Sequence, residues 1–135
     1  MNELILNFQS PEPAVTLIFE DNGKVAYAYL KKNGDIVGDV WLYNRCNTPN
    51  EPEWNNRKNI PFANSHEFVS DDGHMDKLIN SEDILVDWDT DDSGQPLAYI
   101  YLFEDLLGVV GIGDKPGYAR FSIKNSPIAK VMDIV

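Results

Sequence analysis

Hydrophobic and polar positions alternate with a period of two along much of this chain, the spacing of strands that present one face to a core. Two Asn-Gly pairs, Asn22-Gly23 and Asn33-Gly34, separate β-rich runs, and Asn-Gly tolerates the positive φ that tight hairpin turns demand. The pattern predicts an antiparallel three-stranded meander over residues 15–20, 24–31 and 35–43. In its middle run Val25, Tyr27 and Tyr29 share one face while Ala26, Ala28 and Leu30 share the other, so a central strand covered on both sides is expected. The third run sets Val40 and Leu42 opposite Trp41 and Tyr43, with Gly38 as a candidate bulge. A short strand over 4–8, closed by Ser10-Pro11-Glu12-Pro13, is expected at a sheet edge because the prolines remove backbone donors.

Neither a strand nor a helix period survives over 44–64, where Pro49, Pro52 and Pro61 fall. A long ordered loop is expected there, anchored by Trp54, Ile60 and Phe62. Over 65–81, Phe68, Val69, Met75, Leu78 and Ile79 suggest one face of a short helix around Asp76, which Gly73 interrupts. Alternation returns at 84–88, pointing Ile84, Val86 and Trp88 one way and Asp87 and Asp89 the other, toward an open face. Asp91-Asp92-Ser93-Gly94 is turn chemistry, and 97–103, apolar on both faces, reads as a second central strand. Strands over 106–112 and 118–124 follow, and 128–135 ends the chain as a strand or single helical turn. The expected fold is mainly β: an antiparallel β-sandwich or curved antiparallel sheet with a β-meander and at most one or two short helices.

Length makes this a single domain over 1–135, large enough to bury roughly 65–70% of its unfolded surface. Cys46 is the only cysteine, so no intramolecular disulfide can form and a reducing compartment is expected. The N-terminus lacks a basic region and no apolar run is long enough to span a membrane, which points to the cytoplasm. Charge changes the picture most. Against 11 Lys and Arg stand 22 Asp and Glu, a formal net charge of −11. Residues 66–92 alone carry Glu67, Asp71, Asp72, Asp76, Glu82, Asp83, Asp87, Asp89, Asp91 and Asp92 with a single cation, Lys77. Such a surface repels nucleic acid and anionic lipid and steers a basic partner toward itself, although it also serves as a soluble face with no partner.

Catalytic and cofactor motifs are weak by comparison. Residues 89–94 match the first half of a calcium loop, but Ile100 stands where the bidentate Glu belongs, so no metal is expected. No flanking motif joins Cys46 to His66 or His74 as nucleophile and base, and no carboxylate pair is singled out for glycoside hydrolysis. Gly108, Gly111 and Gly113 lack the spacing of a phosphate loop. Neither an enzyme nor a cofactor is expected. Trp41 and Trp88 fit core positions, whereas Trp54, between Glu53 and Asn55, suits an interface anchor or a cap over the sheet equally well.

The run Gly38-Asp39-Val40-Trp41-Leu42-Tyr43-Asn44-Arg45, then Pro52-Glu53-Trp54, then Pro61-Phe62-Ala63-Asn64, resembles small acidic bacterial immunity proteins of polymorphic and contact-dependent growth-inhibition toxin systems. The resemblance implies a cytoplasmic inhibitor that binds a cognate toxin domain, often a nuclease with a basic cleft, and it transfers no catalytic residue. The candidate toxin-binding residues come from the charge reading instead: Asp71, Asp72, Asp76, Glu82, Asp83, Asp87, Asp89, Asp91 and Asp92, with Trp54 as an anchor. The expected partner is a basic toxin protein, met by a monomer or small oligomer. The alternative is a non-catalytic β-sandwich that binds a ligand such as carbohydrate on Trp and Tyr platforms.

Overall fold

Turn chemistry sets up the first sheet. In the computed structural model, which describes residues 3–132, Leu4–Gln9 (β1), Val15–Asp21 (β2), Val25–Lys32 (β3) and Asp35–Asn44 (β4) pair as an antiparallel sheet in sequence order. Asn33 and Gly34 both take positive φ, 53° and 87°, the geometry whose twist matches flanking strands. At Asn22-Gly23 the positive φ falls on Gly23 alone. There the Asn22 side-chain oxygen accepts from the Lys24 and Val25 amides, each at 2.9 Å, and so shapes the turn. As expected, β1 lies at the edge and β3 is central. One face of β3 enters the core, and on the other the Tyr27 hydroxyl donates to the Phe62 carbonyl at 2.7 Å, so the long loop covers it.

The second sheet is built from Ile84–Thr90 (β5), Pro96–Leu102 (β6), Asp105–Gly111 (β7), Tyr118–Ala119 (β8) and Lys130–Val131 (β9), in that order. All neighbours are antiparallel except β8 and β9, which are parallel. Leu17, Phe19, Leu30, Val40 and Leu42 from one sheet and Ile84, Ile100, Leu107 and Val110 from the other belong to a single buried cluster, so the two sheets face each other as a sandwich. The free edge of β4 is closed by the segment after β7. Asp39 donates to the Asp114 carbonyl at 2.9 Å and accepts from Gly117 at 2.7 Å, while Trp41 donates to Ile128 at 2.9 Å. That closure ties the sheets together beside the core.

Several local expectations are corrected. No helix forms around Asp76; helical geometry among the described residues is confined to 3-10 turns at Arg57–Asn59, His66–Phe68, Asp71–Gly73 and Ser81–Asp83. Phe68, Val69 and Ile79 are buried, but Leu78 is 77% exposed, so the five apolar residues do not share a face. Ile60, expected as a loop anchor, is 59% exposed, leaving Trp54 and Phe62 to pack against the core. The strand expected over 118–124 is only Tyr118–Ala119, because the chain turns after Arg120, whose amide still donates to the Leu107 carbonyl of β7 at 2.9 Å, and Ser122 donates back to Ala119 at 3.2 Å. At the C-terminus Lys130–Val131 forms a short strand, and the rest of the expected element, 133–135, lies outside the described residues. The register break near Gly38 falls between Leu30↔Gly38 and Lys31↔Ile36, which makes Val37 the extra residue.

Candidate functional site

The carboxylates of 66–92 separate into several settings. Asp71 and Asp72, on a 3-10 turn, and Asp76 line an open cleft of about 380 Å³ with Met75, Leu102, Leu107 and Phe121 among its apolar walls. Asp105 lines the same cleft; lying outside the acidic run, it gave no signal in the sequence and arrives there through the β6–β7 hairpin. Lys77 and Arg120 are the cations of this cleft. Glu82 and Asp83 sit on the turn that opens β5, where Asp83 accepts from the Asn80 amide at 2.8 Å. Asp87 and Asp89 occupy the exposed side of β5, the outermost strand of its sheet, as the alternation required.

Their chemistry differs accordingly. Asp91 accepts from Ser93 at 2.8 Å and Gln95 at 2.9 Å, so this carboxylate holds its own turn together, with Asp92 exposed at the tip. Among the described residues the ion pairs are Lys24–Glu53, Arg45–Asp21 and Lys124–Glu67. None involves the nine candidate carboxylates. In particular, Arg120 and Lys124 do not neutralise Asp87 or Asp89. Trp54 meets the Phe68 ring edge-on at 5.1 Å between centroids and packs against the core, which gives it a capping role over the fold.

The residues carrying the immunity-protein resemblance lie inward. The Arg45 Nε donates to Asp21 at 2.6 Å, the Tyr43 hydroxyl donates to the same carboxylate at 2.7 Å, and both charged side chains are only 4% exposed. Asn44 accepts from Trp41 Nε1 at 2.9 Å and from the Asn64 amide at 3.1 Å, and donates to the Asn64 carbonyl at 2.8 Å. This lattice pins the long loop to the meander. Cys46 is half-buried, and burial pushes its thiol above the ordinary range. His74 contacts the Arg45 carbonyl at 3.0 Å.

The outer face of the second sheet carries a surface that the charge reading missed. Along β6, Leu97, Tyr99 and Tyr101 alternate with the buried Ala98, Ile100 and Leu102, and each remains partly exposed. Across the sheet Tyr101 stands between Leu85 and Leu106, and Tyr99 between Asp87 and Val109. Tyr118, opposite Val109, extends the row. The sequence signal was present in the period-two alternation of β6, but which face stays open depends on where the first sheet docks.

No family model, curated protein or solved structure matches this chain. No helix among the described residues is long and apolar enough to cross a membrane.

Proposed function

We propose that this protein is a non-catalytic immunity protein of the cytoplasm that binds a cationic toxin domain, such as a nuclease with a Lys- and Arg-lined cleft, and neutralises it by stoichiometric occlusion. The observation that carries this reading is the run of nine carboxylates from Asp71 to Asp92 with no cationic partner among the described residues, seven of them exposed and the other two half-buried. Unpaired surface charge of one sign lowers folding stability through self-repulsion, and it accelerates encounter with an oppositely charged surface. Carboxylates also match the positions that phosphates take in a nuclease cleft, because both accept charge-assisted hydrogen bonds from Arg and Lys.

Capture of a partner from the native host on immobilised protein at low salt, followed by assay of the partner's activity, tests the proposal. The expected result is a basic toxin domain inhibited completely at a 1:1 ratio. A captured protein whose activity persists at saturating concentrations of this chain rejects it. The tyrosines of β6 favour a second reading, a carbohydrate-binding sandwich, and retention on a neutral glycan column is the result that reading requires.

A further inference from the structure

Among the acidic settings, the β5 face is the one that sets its carboxylates in strand register with partly exposed tyrosine rings. The register places Asp87, Tyr99, Val109, Tyr118 and Lys130 in one row across the second sheet, flanked by the rows Leu85–Tyr101–Leu106 and Asp89–Leu97–Gly111. At the β9 end the row contains its own example of cation recognition: Lys130 Nζ lies over the Tyr118 ring, 5.6 Å from its centroid. At the β5 end stands an equivalent ring, Tyr99, directly opposite Asp87, where side chains approach to about 5 Å. No cation of the described chain pairs with Asp87 or Asp89. Leu85, 58% exposed, adds apolar area next to them.

We propose that this outer sheet face, centred on Tyr99 with Asp87 and Asp89 along β5, is the docking surface for an arginine-rich protein segment. This inference rests on the proposed binding of a cationic partner and assigns it a place. An arginine guanidinium stacks on a tyrosine ring while donating to an adjacent carboxylate, and both groups are in register here. Charge complementarity selects that occupant. A second copy of this chain paired along β5 would bring Asp87 and Asp89 against their own like charges, whereas a neutral sugar would draw no benefit from their charge.

Titration of 15N-labelled protein with hexa-arginine at 0.15 M salt, where the Debye length is about 8 Å, tests the assignment. The largest amide shifts are expected at Asp87, Leu97 and Tyr99, and Asp87→Asn/Asp89→Asn should raise Kd about fivefold or more with an unchanged melting temperature. Asp71→Asn/Asp72→Asn removes the same charge from the cleft and should change Kd less than about twofold. Tyr99→Leu keeps the strand and the charges, so weakening by this variant separates ring stacking from bulk charge. Equal losses in the two Asp pairs overturn the assignment while leaving a cationic partner in place. Absence of hexa-arginine binding overturns both. Shifts of Tyr99 and Tyr101 by cellohexaose at comparable affinity replace the arginine-rich occupant with a glycan, and concentration-dependent dimerisation through β5 replaces it with a second copy.

Discussion

Phe103 and Glu104 form the two-residue turn between β6 and β7 and take φ of 49° and 72°. Two-residue hairpins of this geometry ordinarily use Asn-Gly, because an L side chain in the left-handed region costs about 1–2 kcal/mol. Replacing Glu104 by Gly should therefore raise unfolding free energy by roughly 1 kcal/mol, the relieved strain less the added freedom of the unfolded chain. A urea midpoint that stays level or falls refutes this account. The buried tyrosines give a second residue-level expectation. Burial, together with neighbouring acids, pushes Tyr27 and Tyr43 well above the ordinary phenol range and Tyr29 up to about 12. A raised folded-state value means that the neutral phenol is favoured in the native state. Stability from these groups is complete below the unfolded value near pH 10 and is lost as pH rises above it. Phenolate absorbance should accordingly rise in two steps, the later one coincident with loss of far-UV circular dichroism. A single step in protein that keeps its strand signal contradicts this.

The strands were legible because each has only one way to bury its apolar alternation. β2 shows this directly: Val15, Leu17 and Phe19 are fully buried and Thr16 and Ile18 only partly. The elements that were misread are those whose conformation is decided from outside. Residues 65–81 contain enough apolar side chains for a helix face, yet Met75 donates to the Asn44 carbonyl at 2.7 Å and Ser70 to Phe121 at 2.9 Å, so the end of β4 and the turn after β8 claim this backbone. Gly38 has an equally non-local reason. A Cβ there would come within 2.7 Å of the Gly111 carbonyl oxygen, where β4 meets the end of β7. Gly38→Ala should cost about 1–3 kcal/mol by forcing the two sheets apart, measurable as a lowered urea midpoint with an unchanged slope. A variant as stable as the parent shows that the sheets can yield at this point.

For the whole molecule, charge and fold act on different steps. The core holds the sandwich together without using the acids of 71–92, two of which, Asp83 and Asp91, also shape their own turns. Their collective field reaches a partner before contact. The association rate with a basic toxin domain should fall steeply as the Debye length shrinks from about 30 Å at 0.01 M salt to about 8 Å at 0.15 M. Stopped-flow rates that do not change over this range reduce the acidic run to a solvated surface. The dissociation rate should respond less, because it is set by the desolvated contacts.

The sequence by itself determined the β-meander, the edge position of β1, the central positions of β3 and β6, and the outward direction of Asp87 and Asp89. Those features follow from a period of two and from turn residues, both of which are local. Tertiary structure alone decided that Arg45 and Asp21, 24 positions apart, share a buried ion pair, and that Asp105 joins Asp71, Asp72 and Asp76 at one cleft. It also decided that Tyr99 stands open beside Asp87. These are cross-chain placements, and they depend on which face of each sheet meets the other when the sandwich closes.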